Sequence, residues 1–283
     1  MKILENKVAL ITGAGRPGGL GQAIARRFAE EGATIILTDI GKPSGLHLPK
    51  DAIGTADDLR STAAALSAQT SARVVTMTCD VRSEEEIKQC VADTAEQFGQ
   101  LDIVVNNAGI GHIMTSVLDC TAEEWDLVLS VNLRGAFLFT KYGAMQMIAQ
   151  NPKNDGRGGR IINISSQAGK SGIPNMVAYT SSKHGMIGLT RAAAIDLGRH
   201  GITVNAVCPN HVTTQLGAVQ NSKRSQINGV TVEQVLATRA ATNPMRRVGL
   251  PEDTANACVF LASENASYIN GEAVNVSGGE EMH

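Results

Sequence analysis

Short, continuous runs of apolar residues alternate along the chain with longer stretches in which apolar residues recur at helical spacing. The first run, at 8–12 (VALIT), is apolar throughout, which is typical of a strand buried on both faces of a parallel sheet. Strands that alternate with helices in this way predict an α/β protein with a doubly wound parallel sheet and helices on both faces. The predicted strands lie at 8–12, 34–38, 73–77, 101–105, 160–165, 203–208 and 273–276, and the predicted helices at 22–32, 56–68, 84–98, 121–150, 184–198 and 255–261.

Composition narrows the possible functions. The chain has 283 residues, 43% of them hydrophobic, and no linker divides it, so we expect a single domain over 1–283. A net charge of −2 and an aromatic content of 3% disfavour nucleic acid and anionic membranes as partners. No signal peptide or membrane-spanning stretch is recognisable, which favours a cytoplasmic location. Five scattered cysteines without CxxC spacing indicate reduced thiols and no metal site.

The strand at 8–12 runs directly into GAGRPGGLG and then into a predicted helix. Glycines let the backbone turn tightly and approach a pyrophosphate, while the amino end of the helix supplies N–H groups and partial positive charge. Gly13, Gly15 and Gly18 match the GxGxxG pattern, and the strand–loop–helix context makes the match more specific. We interpret the segment as a Rossmann-type dinucleotide site; the alternative is an ordinary glycine-rich turn.

An acidic residue, Asp39, ends the second predicted strand. About 20 positions after the glycines, a carboxylate can accept hydrogen bonds from the ribose hydroxyls of NAD. The same carboxylate would repel the 2′-phosphate of NADP. Arg16 and Lys42 could instead reach a phosphate, and Asp39 could simply cap a turn. The pattern favours NAD as the cofactor and keeps NADP as the alternative.

Three polar residues in the segment 166–183 are candidates for acid–base chemistry. Tyr179 and Lys183 are four residues apart, so on a helix they lie on one face about one turn apart. An ammonium there is expected to lower the pKa of the phenol towards neutrality, which suits proton transfer. Ser166 follows a predicted strand and can hold a substrate oxygen at its carboxyl end. On a solvated helix surface the same Tyr–Lys spacing would carry no function.

A series of motifs resembles the short-chain dehydrogenase/reductase family, in the family's order and over nearly the whole chain. The resemblance implies an oxidoreductase that transfers a hydride between NAD(H) and a secondary alcohol or ketone, its small-molecule partner. The motifs are TGAGRPGGLG, Asp39, Asp80-Val81, NNAG at 106–109, SVNLRG with Asn132, NISSQAG with Ser166, YTSSK with Tyr179 and Lys183, NAVCPNHVTT and INGEAVNVSGG.

The resemblance implies a role for each of four catalytic residues. Ser166, rather than the adjacent Ser165, would polarise the substrate oxygen, and Tyr179 would exchange its proton. Lys183 would hold the nicotinamide ribose and acidify the tyrosine. Asn132 would anchor a water for proton relay. The alternatives are that Asn132 is a helix amide satisfied by backbone and that Ser166 only caps the end of a strand.

The glycine loop departs from the family in its length. The family has three residues between the first two glycines, whereas five separate Gly13 from Gly19 here, so Arg16-Pro17 is the expected insert and Gly21 the third matching glycine. The cofactor-binding residues that the resemblance implies are Gly13, Gly15, Gly19, Leu20, Gly21, Asp39, Asp80, Val81, Asn107, Ala108, Gly109, Tyr179, Lys183, Pro209, Val212 and Thr214.

A second departure lies after the sixth strand. Asn210 stands where the family has glycine after proline, and asparagine tolerates a left-handed backbone better than most residues. Beyond it, the resemblance places Val212 and Thr214 at the nicotinamide carboxamide. His112 and His211 flank the expected pocket and lack the neighbours of a metal site.

The polar segment 213–243 resembles the mobile lid that covers the substrate in the family. Its cations, Lys223, Arg224 and Arg239, could favour an acidic substrate, although a solvated surface is the simpler explanation of such charges. We predict loop insertions at 40–55 and 152–159 and a tail at the terminal EEMH.

The resemblance also implies an even-numbered homo-oligomer, a dimer or tetramer, because the helix at 121–150 and the helix carrying Tyr179 pack between subunits in the family. The apolar faces of these helices could also simply cover the sheet. Two alternative functions stay open: an NADP-dependent reductase with the same chemistry, and a non-catalytic sensor of dinucleotides. A sensor needs the glycine loop and Asp39 but not the proton-handling residues.

Overall fold

The computed structural model describes residues 2–41, 54–111, 113–150 and 158–282. Its strands are β1 Val8–Thr12, β2 Thr34–Asp39, β3 Val74–Thr78, β4 Ile103–Asn106, β5 Arg160–Ile164, β6 Thr203–Pro209 and β7 Ala273–Val276. All pair in parallel, in the order β3-β2-β1-β4-β5-β6-β7. The winding reverses between β1 and β4, the place where open α/β sheets bind ligands at the carboxyl ends of the strands. The predicted doubly wound parallel sheet is confirmed.

Helices connect the strands, and all of the predicted helices are present: the helix at 84–98 has the predicted ends, and each of the others differs at one end or both. The segment 213–243, for which the sequence predicted a lid, contains two further helices. The helices are α1 Leu20–Glu30, α2 Ala56–Thr70, α3 Glu84–Phe98, α4 Ala122–Leu129, α5 Gly135–Gln150, α6 Val177–Gly198, α7 Gln215–Asn228, α8 Val232–Thr242 and α9 Pro251–Ala262.

Two hydrophobic cores lie on opposite faces of the sheet. Successive side chains of a strand point to opposite faces, and in β1 Ala9 and Ile11 enter one core while Val8 and Leu10 enter the other. Helices α1, α2 and α9 cover the first core, and helices α3 to α6 cover the second. The central strands are therefore buried on both sides, which explains their continuous apolar runs.

The helix predicted at 121–150 is interrupted by one wide turn. A π turn, Ser130–Arg134, joins α4 to α5, and the N–H of Gly135 donates to the carbonyl of Ser130 five residues earlier. Such turns add a residue to the helix and are frequent at functional sites. Here the turn carries Asn132, whose side chain is fully buried.

The two predicted loop insertions lie largely outside the described residues, as do Lys42 and His112. The described ends of the first one meet, because Gly41 and Thr55 form a parallel bridge and the Ala56 N–H donates to the Gly41 carbonyl at 3.0 Å. Thr55 then begins α2 with a capping box, exchanging hydrogen bonds with Asp58.

Candidate active site

Gly13 begins the glycine loop in a backbone conformation that side chains disfavour. Its φ is +65°, and a Cβ placed on it would lie 2.6 Å from the Cα of Ala108. A Cβ on Gly21 would lie 2.8 Å from the amide nitrogen of Asn107. The loop and the segment 107–109 after β4 are therefore pressed together, and any larger residue at these glycines would separate them.

Hydrogen bonds brace the same junction. The hydroxyl of Thr12, which is buried, accepts from the N–H groups of Asn107 and Ala108 at 3.1 and 3.0 Å. The Asn107 amide donates to the carbonyls of Thr12 and Gly13 at 2.8 and 3.0 Å. Sequence reasoning passed over Thr12, although a threonine that ends an apolar strand just before the first glycine was the available signal.

The inserted residues form a tight turn. The Gly19 N–H donates to the Arg16 carbonyl at 3.0 Å, and Gly18 has a φ of +64°. Proline followed by glycine at positive φ is the pattern of a type II turn. Gly19 then leads into α1, which begins at Leu20 with no side chain capping its first N–H groups. This helix terminus can bind an anion such as a pyrophosphate.

Gly15 has a different neighbour from the other loop glycines. Its N–H donates to the Asp39 carboxylate at 2.9 Å, and the other carboxylate oxygen accepts from the Ile40 N–H at 2.8 Å. Burial raises the pKa of Asp39, while these bonds and the charge of Arg16 oppose the rise. The Arg16 guanidinium itself donates to the Gly109 carbonyl at 3.2 Å, across the loop. A carboxylate therefore stands at the end of β2 as the sequence predicted, with a cation beside it.

Asp80 and Val81 follow β3. Arg82 donates to both carboxylate oxygens of Asp80, at 2.6–3.0 Å, so this carboxylate already has a partner. Val81 packs beside Gly135, where an added Cβ would lie 2.9 Å from the Val81 carbonyl. Both residues support the rim of the site from the β3 side.

Tyr179 and Ser166 face each other at the ends of β5 and α6. The hydroxyl of Ser166 lies close enough to the phenol of Tyr179 to influence its pKa, and it accepts a hydrogen bond from the Ala168 N–H at 3.1 Å. Ser165 instead points its hydroxyl at the Lys183 carbonyl, 3.0 Å away. Ser166 is thus the serine that reaches the tyrosine, and it caps the following short turn as well.

Lys183 lies one turn after Tyr179 with its side chain buried. The ammonium donates to the Ile164 carbonyl at 2.7 Å and lies 5.6 Å from the centroid of the Tyr179 ring. Burial lowers the pKa of Lys183 to about 8. The two side chains share one helix face, as the spacing predicted.

The expected lowering of the phenol's pKa is wrong for this structure. Burial raises the pKa of Tyr179, and the hydroxyl of Ser166 only partly opposes the rise. The ammonium of Lys183 lies against the ring and bonds a backbone carbonyl, and burial weakens its own hold on a proton. Desolvation of both groups therefore outweighs the attraction between phenolate and ammonium.

The side-chain amide of Asn132 forms three hydrogen bonds with neighbouring groups. Its oxygen accepts from the Ile110 N–H at 2.8 Å, and its nitrogen donates to the Ile110 carbonyl at 3.0 Å and to the Ser182 hydroxyl at 3.1 Å. The side chain thus ties the segment after β4 to α6. Both hydrogens of the amide are therefore committed, while its oxygen accepts one of the two hydrogen bonds that it can accept.

The segment after β6 closes the site from the other side. Val212 forms a parallel bridge with Gly249, and Thr214 caps α7 by accepting from the Gly217 N–H at 3.2 Å. On α7, Gln220 donates to the Gly111 carbonyl at 3.1 Å. A Cβ on Gly111 would lie 2.8 Å from the Tyr179 ring, so this bond brings α7 close to the tyrosine.

The predicted tail is docked on the site. Asn210 donates to the carboxylate of Glu280, and Gln167 donates to the carboxylate of Glu281 at 2.9 Å. Asn210 does not take the left-handed backbone that its position suggested, since it is absent from the residues with positive φ. Its amide instead holds the carboxyl-terminal segment, a contact that the sequence did not signal.

One cavity brings together most of the predicted site residues. Its other lining residues include Arg16, His211, Gln220, Arg224 and Arg239. A solvated surface was the simpler prediction for the two arginines of the segment 213–243, and the structure places both at the cavity instead. Gly15, Gly21, Asp39, Asp80, Val81, Ala108 and Asn132 are not among its lining residues and support it from behind or beside. The predicted residues that line the cavity are Gly13, Gly19, Leu20, Asn107, Gly109, Ser166, Tyr179, Lys183, Pro209, Val212 and Thr214.

Two kinds of feature are absent from the part of the chain that the structure describes. No group of three or more histidine, cysteine or acidic side chains there is arranged to hold a metal ion. No helix there combines the length and apolar character needed to cross a bilayer. All five cysteines are free thiols, and four of them are buried.

The sequence matches a known family model and many known proteins. The model described as enoyl-(acyl carrier protein) reductase matches residues 13–281. A short-chain dehydrogenase/reductase of Armillaria gallica is 40% identical over 98% of this chain and 97% of its own. The match extends over almost the full length of both proteins, so it includes the cavity walls as well as the glycine loop.

Solved structures are similar in fold and differ in their cofactors. NAD+-bound xylitol dehydrogenase has a TM-score of 0.85 at 32% identity, and the similarity covers 98% of this chain and 99% of that protein's chain. Actinorhodin polyketide ketoreductase with NADPH has a TM-score of 0.84 at 35% identity, with 96% of each chain covered. The likeness therefore extends to proteins that bind either dinucleotide.

Proposed function

Because this chain belongs to the short-chain dehydrogenase/reductase family, we propose that it is an NAD(H)-dependent enzyme that interconverts a secondary alcohol and a ketone. It is an oxidoreductase of alcohols and ketones on the strength of its relatives; the cofactor and the roles of individual residues are our proposal. The observation that carries the proposal is the meeting of Ser166, Tyr179 and Lys183 with the glycine loop in one cavity.

The residues present fit a dinucleotide. Gly13 and Gly21 leave a close approach that a Cβ would fill, and the uncapped amino end of α1 offers N–H groups to a pyrophosphate. The nicotinamide, when bound, supplies or accepts the hydride. Val212 and Thr214 would hold its carboxamide, and Lys183 its ribose. The segments after β3 and β4 would complete the cofactor site.

The protein's own groups manage the proton and the substrate oxygen. Tyr179 would donate its phenolic proton to the oxygen of a ketone as that carbon is reduced, and take it back during alcohol oxidation. Ser166, which lies beside the same phenol, would hold the substrate oxygen in line. Lys183 would place positive charge next to the phenolate that forms. Asn132 would act through its backbone carbonyl, because both hydrogens of its side-chain amide are committed to Ile110 and Ser182.

Substitution of Tyr179 by phenylalanine tests the catalytic assignment. A general acid–base group contributes on the order of 10²- to 10⁴-fold to a rate, so we expect Tyr179→Phe to lose turnover by about that factor across a panel of ketones and alcohols. NADH binding, measured by fluorescence titration, should stay within about twofold because the glycine loop is untouched. Tyr268→Phe is the control, since that side chain is fully exposed.

Retained turnover in Tyr179→Phe would refute the assignment. If the wild-type protein binds NADH but turns over nothing in a broad panel of sugars, polyols, steroids and aryl alcohols, the dinucleotide sensor becomes the better explanation. The panel therefore separates a wrong catalytic residue from a wrong function.

The preference for NAD rests on Asp39. Its carboxylate stands at the end of β2, held by the N–H groups of Gly15 and Ile40, where a 2′-phosphate would meet negative charge. Arg16 is the opposing observation, because its charge interacts with Asp39 and could offset that repulsion. We expect NAD to bind more tightly than NADP and Asp39→Ala to reduce the preference at least tenfold. Asp57→Ala, at an exposed position, is the matched control. A wild-type preference for NADP would overturn this part of the proposal.

Two features of the wider molecule complete the proposal. We infer that the segment 213–243 is a lid, since Gln220 and Lys223 donate across the cavity mouth to the carbonyls of Gly111 and Met114 at 3.1 and 3.5 Å. We also infer an even-numbered homo-oligomer built on α5 and α6. The exposed apolar side chains of these helices support it: Phe137, Met145 and Ile195 are 46%, 57% and 82% exposed.

A further inference from the structure

The cavity is strongly cationic although the chain as a whole is slightly acidic. Four positively charged residues line it, and no aspartate or glutamate is among its described lining residues. The whole chain carries a formal net charge of −2. Such a concentration of one sign in a cleft attracts ligands of the opposite sign. The four residues are Arg16, Lys183, Arg224 and Arg239.

Two of the four already have partners on the cofactor side. Arg16 donates to the Gly109 carbonyl and lies near Asp39. Lys183 donates to the Ile164 carbonyl. The other two come from the lid: Arg224 on α7 and Arg239 on α8. Neither forms an ion pair within 4.0 Å with a carboxylate of the described residues.

The two lid arginines lie close enough for the charge of Arg224 to act on Arg239. Burial, together with the charge of Arg224, lowers the pKa of Arg239, and Glu280 only partly compensates. The Nε of Arg239 is buried and has no hydrogen-bond partner. Glu280, the acid that acts on Arg239, spends a carboxylate oxygen on the amides of Asn210 and Asn243. A guanidinium pair in this state lacks the anion that would stabilise it.

His211 stands beside the pair as a neutral group. Burial and the charges of Arg239 and Arg224 lower its pKa to about 4, so at neutral pH it adds no charge. Its Nε2 is buried without a hydrogen-bond partner. The imidazole can therefore make one further hydrogen bond inside the cavity. Three polar side chains that can each form further hydrogen bonds thus line the same cavity.

These three side chains line the same cavity as Ser166 and Tyr179. Gln220 is one helical turn before Arg224 on α7, and it bonds the Gly111 carbonyl beside the Tyr179 ring. The side chain of Arg224 therefore leaves α7 one turn after a residue that contacts Gly111, and Arg239 enters the cavity from a separate helix. Both arginines line the cavity that contains Tyr179, so an anion bound by both would share that cavity with a carbon held at the tyrosine.

We propose that the substrate of this site carries a carboxylate or phosphate group, bound by Arg224 and Arg239 with His211 as a further hydrogen-bond partner. This inference rests on the proposed dehydrogenase function and names its substrate class. Planar guanidinium groups match the paired oxygens of such anions. The arginines, which are otherwise unpaired inside a cleft, select substrates by this group while Tyr179 and Ser166 act on the alcohol or ketone.

Matched pairs of ketones, each with and without the anionic group, test the proposal. Acetoacetate and levulinate are compared with their methyl esters, and dihydroxyacetone phosphate with dihydroxyacetone, all with NADH as reductant. We expect the wild type to favour at least one anionic member about tenfold or more in kcat/KM. Arg224→Gln and Arg239→Gln should each lower that kcat/KM by about ten- to a hundredfold, mainly through KM, because each variant removes hydrogen bonds to a charged group. The lysine variants should recover part of the loss.

The controls separate the substrate from the cofactor. Arg246→Gln removes an exposed arginine that does not line the cavity and should change nothing. Turnover of the neutral ketones and the Kd for NADH should stay the same in all variants. If the arginine variants weaken NADH binding instead and leave acid and ester equal, the pair serves the cofactor and the proposal is wrong. The carboxylate and phosphate arms show which anion the pair binds.

A failure of the dehydrogenase proposal is recognisable separately. If ketones are reduced but no anionic member is preferred and no arginine variant alters this, the anion site is refuted and the dehydrogenase stands. If nothing is reduced, calorimetry of the same anions with the NADH-loaded protein still decides. Binding that is lost in the Arg224→Gln, Arg239→Gln double variant supports the site, and equal or absent binding in both proteins overturns it.

Discussion

The glycine loop and the segment 213–243 close the same cavity from opposite sides, and they are built from different parts. The loop is held by close backbone approach and by buried hydrogen bonds from Thr12 and Asn107. The segment 213–243 buries the hydrophobic side chain of Val235, while Val219, Ile227, Val230 and Val232 are exposed. One wall is thus fixed by its backbone, and the other presents long, charged side chains.

This difference separates the two tasks of the site. A substitution in the backbone-built wall has no room to relax and should disturb folding and cofactor binding together. A substitution in the segment 213–243 changes a side chain that few buried groups depend on, so we expect it to alter the choice of substrate alone. Relatives with the same fold bind different dinucleotides and carry names of different substrates, which is consistent with side chains deciding both.

The largest contrast is expected within the glycine loop itself. Gly13→Ala places a Cβ 2.6 Å from Ala108 at a φ of +65°, whereas Gly18→Ala has a φ of +64° with nothing within 4 Å. The left-handed backbone costs both about 1–2 kcal/mol, and overpacking adds about 1–3 kcal/mol at Gly13 alone. Urea unfolding should therefore show a loss of roughly 2–5 kcal/mol for Gly13→Ala and about 1–2 kcal/mol for Gly18→Ala. Equal losses would mean that close backbone approach does not hold this wall.

Lys183, beside the proposed cofactor site, and His211, beside the segment 213–243, should make stability depend on pH in different pH ranges. Lys183 has a folded-state pKa of about 8, below its ordinary 10.5, so the folded protein binds its proton less well than the unfolded chain. The penalty is complete below pH 8 and disappears as the pH rises towards 10.5, which makes stability increase over that window by up to about 3 kcal/mol. Lys183→Met should lack this increase. The measurement is the free energy of unfolding of both proteins between pH 7 and 10.5 without cofactor.

His211 gives the same test on the lid side, at acid pH. Its pKa of about 4, against 6.5, predicts that stability falls as the pH drops from 6.5 towards 4. The effect should be smaller than that of Lys183 because the imidazole is partly exposed to water, and His211→Asn should remove it. A wild-type profile that matches the His211→Asn profile across this range would show that burial on the lid side is weaker than the structure indicates.

The smallest contrast compares two buried asparagines. Asn132→Ala leaves the Ile110 N–H and carbonyl without partners, at a cost of about 2 kcal/mol in unfolding free energy. Asn221, on α7, is buried with its Oδ1 unpaired, so Asn221→Ala removes an unsatisfied atom and should change stability by about 0.5 kcal/mol or less. Thermal unfolding of the two variants side by side measures the difference. A larger loss at Asn221 would mean that the buried polar groups of α7 contribute more to stability than the hydrogen bonds of Asn132.

Much of the fold followed from local patterns. The strands at 8–12 and 273–276 and the helix at 84–98 have the predicted ends. Buried strands and amphipathic helices carry their own periodicity, so these elements are visible in the sequence. The interruption at Ser130–Arg134 was not, because a π turn depends on what packs around it, here the Asn132 side chain against Ile110.

The candidate site was predictable to the extent that it uses short motifs. Tyr179, Lys183 and Ser166 came from spacing and resemblance, and the structure brings them together. Arg224 and Arg239 are 15 residues apart on separate helices, and no pattern in the sequence shows that they share a cavity with His211. The docked Glu280 and Glu281 were missed for the same reason.

The sequence by itself determined the alternation of strands and helices, the glycine loop and the short motifs that contain the candidate residues Ser166, Tyr179 and Lys183, because backbone geometry and side-chain periodicity act over a few neighbouring positions. Only the tertiary structure decided how strongly each ionisable group holds its proton and which charges meet. The raised pKa of Tyr179 and the unpaired lid arginines both arise from burial among residues distant in the chain. Desolvation and charge interactions depend on distances in space, which the order of residues does not specify.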